Sequence, residues 1–244
     1  MTVKIRFQLQ IATMFALIFS TTNTMCAQDT SLNKYGLWVI KDIKSLNTTV
    51  QTDSNKRMVD IKQIPNIVLD IRYATRNNFM HKKLYHSITT TYVRLPAVKA
   101  LQQIQSELNK MGLGLKIYDA YRPYSITEKM WEPIQDERYV ADPKKGSGHN
   151  RGIAVDLTII NLQTKEELPM GTCYDNFTDS AHQTFTVLPK EILQNRNLLT
   201  TLMEKYGFKL FETEWWHFSL PNPKEYEILD LSFKKLGKIN AAKN

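Results

Sequence analysis

Gly146-Ser147-Gly148-His149-Asn150-Arg151-Gly152 runs directly into Ile153-Ala154-Val155-Asp156-Leu157-Thr158-Ile159-Ile160. The second stretch is apolar and β-branched and reads as a buried strand. Asp156 is out of place in it, because a carboxylate inside an apolar run needs a cation, a metal or several hydrogen bonds. The first stretch offers His149. Strict strand geometry would set His149 and Asp156 on opposite faces. The bracketing glycines let the chain bend and bring both side chains to one point.

On either side, strand and helix patterns come in clusters. Tyr35–Ile40 is a small apolar segment suited to an early strand, and residues 44–57 (KSLNTTVQTDSNKR) read as a polar loop or tether. Ile67–Tyr73 has strand character. A helix is predicted from Pro96, with Val98, Leu101, Ile104, Leu108 and Met111 recurring at three- and four-residue steps before Gly112 ends it. Leu115–Ala120 reads as a strand, Ser125 as the N-cap of a helix running to Ile134, Asn195–Tyr206 as a helix stopped by Gly207, and Glu214–Leu220 as a strand. No regular βαβ alternation appears. The expectation is an α+β fold, a single domain with a mainly antiparallel sheet and flanking helices.

With 244 residues, 42% hydrophobic and 23% charged, the chain can bury one sizeable core and is not disordered. Its start is different in kind. Lys4 and Arg6 precede the charge-free run Ile11–Phe19, then polar residues and Met25-Cys26-Ala27. That is the layout of a signal peptide, too short to span a bilayer, with cleavage expected after Ala27. The expected organisation is therefore a leader over 1–27, an extension or linker over 28–57, a domain over 58–237 and a tail over 238–244. The product would be exported, periplasmic or secreted, without stable membrane insertion. Cys26 invites a lipoprotein reading, but Asn23-Thr24-Met25 lacks the small and aliphatic residues of such a site. Removal of Cys26 would leave Cys173 alone, so no internal disulfide is expected. The net charge is +8. The basic residues are scattered rather than clustered with aromatics, and no nucleic-acid partner is expected; a basic exported protein also suits anionic cell-wall polymer.

Among the five histidines, His217 stands out. It lies in Trp215-Trp216-His217-Phe218, a setting that excludes water and stiffens a ligand. Taken singly, His149 reads more readily as a loop residue and His217 as a packed one. Joined by Asp156, they form a set of two nitrogens and one carboxylate that suits a catalytic Zn2+, one per chain, with a fourth position open. Glu214, three residues before His217, is placed to take a proton from water and pass it to a leaving amine.

The pattern Ser147-x-His149-x-x-Gly152-x-Ala154-x-Asp156, with Glu214-x-x-His217, resembles the D-alanyl-D-alanine dipeptidase family. These are zinc peptidases that share their core with D,D-carboxypeptidases and the hedgehog signalling domain. The resemblance spans roughly residues 58 to 235. It includes Asp70–Thr75 with Asn78-Phe79, Tyr118–Pro123, and Pro169-Met170-Gly171-Thr172 leading to Asp175. It implies that His149, Asp156 and His217 hold zinc, that Glu214 is the acid/base, and that Arg122 stabilises charge on the scissile carbonyl oxygen. It implies too that Asp175 contacts the substrate ammonium, that Ser147 forms a hydrogen-bonding wall, and that Tyr73 lines the pocket. The chain departs from the family in the short stretch between Arg122 and His149, which offers little for a lid, and around Cys173-Tyr174 and Asn176-Phe177. His182 reads as structural, and His81 and His86 are assigned no role.

The implied reaction is hydrolysis of the small dipeptide D-Ala-D-Ala to two D-alanines. The alternatives are a D,D- or L,D-carboxypeptidase acting on peptidoglycan stem peptides, and a non-catalytic zinc-containing wall-binding module. Retention of Glu214 and Arg122 argues against the last, because a structural zinc needs neither.

Overall fold

Strands with one apolar face have to be covered, and the helices of this chain carry the matching stripes. The computed structural model describes residues 32–86 and 88–241. In order these form β1 (Val39–Ile40), α1 (Ile43–Thr52), β2 (Met58–Asp60), β3 (Val68–Leu69), β4 (Tyr92–Arg94), α2 (Leu95–Lys110), β5 (Leu113–Asp119), α3 (Tyr124–Ile134), α4 (Gly148–Arg151), β6 (Ala154–Asn161), α5 (Lys190–Lys205), β7 (Lys209–Phe211), β8 (Glu214–Ser219), β9 (Ile228–Leu229) and α6 (Phe233–Ala241). The expected leader and Cys26 lie outside the described residues. Among the described residues, no helix is long and apolar enough to cross a membrane.

The fold is α+β, as the residue pattern implies. Its centre is a five-stranded sheet in the order β3-β5-β6-β8-β7. Only the β3–β5 pair is parallel; β5–β6, β6–β8 and β7–β8 are antiparallel. Register is the feature that matters for function. Asp156 on β6 lies opposite His217 on β8 and opposite Asp119 on β5, just past an irregularity between Ile117 and Asp119. Directly opposed residues in an antiparallel pair share a face, so the sheet itself lines up Asp119, Asp156 and His217.

The helix at Pro96 forms as expected, with Val98, Leu101, Ile104 and Leu108 buried against the sheet. Met111 is different. It falls at the C-cap and is exposed, because the helix ends one residue before it. Of Ile67–Tyr73, only Val68–Leu69 is strand; Arg72–Ala74 is a 3-10 turn that buries Tyr73. The N-cap role expected of Ser125 is not observed. Helix α3 begins at Tyr124, and the Ser125 hydroxyl instead donates to Asp230 Oδ1 at 2.8 Å. Helix α5 starts at Lys190, after Pro189, five residues ahead of the expected start.

The largest correction concerns residues 44–57, expected as a loop. Helix α1 and a 3-10 turn over Ser54–Lys56 fill most of that stretch. Asp42 caps α1, accepting from the Ser45 amide at 2.9 Å. Its apolar face is thin, only Ile43, Leu46 and Val50, which is why the periodicity is hard to see among the polar residues. That face packs on a cluster of Ile40, Met58, Tyr92, Tyr121, Leu229, Leu231 and Leu236. The expected tail over 238–244 is also partly structured, since α6 continues to Ala241.

Because Leu46 is 2% exposed within that cluster, Leu46→Ala should cost about 2–4 kcal/mol in urea unfolding. An unchanged midpoint would mean that α1 does not belong to the cooperative fold.

Candidate active site

The site starts from the turn before β6. Ser147 caps the single-turn helix α4 in a capping box. Its hydroxyl accepts from the Asn150 amide at 3.1 Å, and the Asn150 side-chain oxygen accepts from the Ser147 amide at 3.1 Å. Gly152 ends the turn at φ +72°, where a Cβ would also lie 2.8 Å from the Met58 sulfur. Arg94, wholly buried on β4, holds the far side of this turn: its Nε donates to Arg151 O at 2.8 Å and its amide to Gly152 O at 2.7 Å. The outcome is a fixed His149. Its Nδ1 lies 2.7 Å from Ala120 O. A carbonyl only accepts, so Nδ1 carries the proton and Nε2 is left with a free lone pair.

That lone pair meets two other donor atoms. His149 Nε2 is 3.2 Å from His217 Nδ1 and 3.4 Å from Asp156 Oδ1, and His217 Nδ1 is 2.9 Å from Asp156 Oδ1. Ligands at about 2.0–2.1 Å in a tetrahedral zinc site are spaced about 3.3 Å apart, so these residues fit a metal ion without rearrangement. Burial opposes charge on Asp156, but the two histidines outweigh it and hold the carboxyl well below the usual carboxylate range. Burial lowers the His217 pKa, favouring the neutral imidazole that a ligand must be. The second oxygen of Asp156 accepts from Tyr174 Oη at 2.9 Å, leaving Oδ1 for the metal.

Arg122 lies beside this triad, in the turn after β5. It pairs with Asp119, its Nε and Nη2 at 3.0 and 2.8 Å from Asp119 Oδ2, and both groups are buried. Asp119 Oδ1 accepts from Tyr85 Oη at 2.8 Å, and the guanidinium sits 5.0 Å from the Tyr73 ring centroid. Nη2 also comes within 3.8 Å of Asp156 Oδ2.

All of the site residues named from the sequence line one cavity of about 270 Å³. Tyr73 Oη donates to Asp175 Oδ1 at 3.0 Å, and the Phe79 amide donates to Asp175 Oδ2 at 3.1 Å. Burial pushes the Asp175 carboxyl up to about 7, against those two hydrogen bonds. Glu214 has Oε2 3.7 Å from His217 Nδ1. Burial, then the charges of Asp156 and Asp175, raise its pKa well above the usual carboxylate range.

Residues 54–235 match the D-ala-D-ala dipeptidase peptidase family. This chain belongs to that family. Among its relatives, D-alanyl-D-alanine dipeptidase of Escherichia coli (strain K12) is 34% identical over 173 residues, covering 70% of this chain and 89% of that protein. The D-alanyl-D-alanine dipeptidase of Enterococcus faecalis (strain ATCC 700802 / V583) is 30% identical over 179 residues, covering 64% and 89%. The solved LD-carboxypeptidase LdcB is similar over 76% of this chain and 73% of that one, at 18% identity and a TM-score of 0.39.

This family member has site features that were not read from its sequence. Tyr174, named there only as a departure, is the donor to Asp156. Asp119 carries the same signal as Asp156, a carboxylate at the end of an apolar strand, and its burial between Arg122 and Tyr85 emerges only from the fold. The stretch between Arg122 and His149, expected to be too short for a lid, supplies a wall of the cavity through Tyr139, Val140, Asp142 and Lys145. Tyr139 stacks on Phe177 with centroids 4.5 Å apart. His182 does not join the cavity; its side chain lies 3.9 Å from Asp179.

Two outcomes are expected. Tyr174→Phe removes the donor to Asp156 Oδ2, and metal titration should show affinity reduced about 10- to 100-fold; unchanged affinity would dismiss Tyr174 as an orienting group. Asp175 holds its proton more tightly in the folded chain than at its ordinary 3.8. Its stabilising contribution is therefore complete below pH 3.8 and is lost as pH rises to about 7. In metal-free protein, the unfolding free energy of wild type relative to Asp175→Asn should fall over that window and level off above it. A flat difference would show that burial does not retain the proton.

Proposed function

We propose that this chain hydrolyses D-alanyl-D-alanine to two D-alanines, using zinc held by His149, Asp156 and His217. The observation that carries the reading is the shared cavity. A three-ligand metal site, a buried guanidinium and a separate half-buried carboxylate, Asp175, all line one small space. The names of the relatives, each a D-alanyl-D-alanine dipeptidase, point the same way. Zinc is favoured over other divalent ions because two imidazoles and one carboxylate in a compact array suit its tetrahedral preference.

When bound, the metal supplies Lewis acidity, making a water acidic enough to act near neutral pH and polarising the scissile carbonyl. The protein's own groups do the rest. Glu214, with its proton affinity raised, accepts a proton from the attacking water and releases it to the amine of the departing D-alanine. Arg122, held by Asp119 and always cationic, faces the carbonyl oxygen as negative charge builds there. Asp175 takes the substrate ammonium, which a dipeptide presents one residue from the scissile bond and a stem peptide does not. Ser147 and Tyr73 form polar walls of the same cavity.

The N-terminal leader supports export, with cleavage after Ala27 releasing a protein that works in the periplasm or outside the cell. The domain proper then includes α1 as well as residues 58–237.

Glu214→Ala should retain metal while kcat for D-Ala-D-Ala falls by about a thousandfold; near-normal turnover would refute the acid/base role. D-alanine release from the free dipeptide should greatly exceed release from a pentapeptide stem, and the reverse preference would make the enzyme a carboxypeptidase.

A further inference from the structure

Asp175 and Tyr174 sit neither on the sheet nor on a helix. They belong to an irregular loop between β6 and α5, and Asp175 itself adopts φ +59°. A loop that must hold a carboxylate against a ligand needs its ends fixed. The ends of this one converge on a single side chain. Arg196, on α5, is 5% exposed. Its Nε donates to Met170 O at 2.8 Å, at the loop's start. Its Nη1 and Nη2 donate to His182 O at 3.1 Å and Ser180 O at 2.8 Å, at the loop's close.

Among the described residues, no carboxylate pairs with Arg196, so its charge is met by carbonyl oxygens alone. A buried cation without a counter-ion is costly, and an apolar residue would serve simple packing on α5 better. What the guanidinium adds is its planar fork, with donors pointing in three directions to backbone groups twelve residues apart in sequence. Neighbouring contacts extend the same anchoring. Asn195 Nδ2 donates to Pro169 O at 2.9 Å, and Trp215 Nε1 on β8 donates to Thr172 Oγ1 at 2.8 Å. Gly171, at φ +86°, lets the chain pass α5, where a Cβ would lie 3.2 Å from Ile192.

We infer that Arg196 is a positioning residue for substrate recognition, stapling the base of the 171–179 loop so that Asp175 and Tyr174 face the metal site. This rests on the dipeptidase reading above, in which Asp175 takes the substrate ammonium. Lysine retains the charge but has one nitrogen and no fork, so Arg196→Lys releases one end of the loop while keeping α5 buried.

The test compares wild type, Arg196→Lys and Arg196→Gln on D-Ala-D-Ala and on N-acetyl-D-Ala-D-Ala, which lacks the ammonium. In the variants, KM for the free dipeptide should rise about 10- to 100-fold, with kcat changed much less. The wild-type preference for the free over the acetylated substrate should shrink toward that of Asp175→Asn. A variant that unfolds cooperatively yet keeps wild-type KM and preference overturns the inference. Hydrogen exchange tests the staple without activity. The amides of Ala181, His182 and Gln183, at the anchored end of the loop and hydrogen-bonded to Thr178 O, Asp179 O and Glu212 O, should be protected in wild type and exchange faster in Arg196→Lys. If in wild type they already exchange as freely as the exposed stretch around Val187, the staple is refuted and no variant is needed. A wild-type enzyme that cleaves neither substrate would overturn the dipeptidase reading, while the exchange comparison would still decide the staple.

Discussion

Asp156 is a carboxylate inside β6, a buried and mostly apolar strand at the centre of the sheet, and much of the site is arranged around that fact. A charge in such a place must be met from several sides. His217 meets it from the neighbouring strand, His149 from the returning turn, Tyr174 from a loop and Arg122 at longer range. Asp119, opposite on the other neighbouring strand, repeats the problem and is met by Arg122 and Tyr85. The two carboxylates and the guanidinium thus form one buried network. Removing one member strands the charge of another, so the network has little freedom to drift.

The rigid and adjustable parts of the site have different origins. Asp156 and His217 are set by strand register, which cannot slip by one residue without turning both side chains to the other face. His149 depends on a turn that is capped by Ser147, bent at Gly152 and held from behind by Arg94. Asp175 and Tyr174 depend on an irregular loop. Both of these irregular segments are held by a buried arginine that spreads its donors over backbone carbonyls: Arg94 on those of Lys56, Arg151 and Glu227, and Arg196 on those of Met170, Ser180 and His182. Irregular backbone has no ladder to satisfy its carbonyls, and a planar fork of donors compensates for that.

The cavity walls divide along the same line. The sheet side carries Asp156, His217 and Glu214, where the proposed bond-breaking chemistry needs fixed distances. The loop side carries Asp175, Tyr73 and the Tyr139–Phe177 stack, where the proposed reading puts recognition of the substrate's end.

The sequence by itself determined the α+β class, the strand that carries Asp156, the strand that carries His217, and the pairing of these with His149 and Glu214. Those were legible because each rests on a local anomaly: a carboxylate in an apolar run, a histidine among tryptophans, glycines at a bend. The family resemblance added Arg122, Asp175, Ser147 and Tyr73. Helix α1 was missed because three apolar residues among polar ones do not announce a face until Leu229, Leu231 and Leu236 arrive to cover it. The Tyr174 hydrogen bond, the Asp119–Arg122 network and the wall formed by Tyr139 and Val140 join residues far apart in the chain, and no local pattern encodes them. Only the tertiary structure decided that Asp156 faces His217 in register, that Arg122 is buried rather than exposed, and that Arg196 closes a loop. Each of these depends on which strands and turns become neighbours, and that follows from the burial of the whole apolar surface rather than from any single stretch of it.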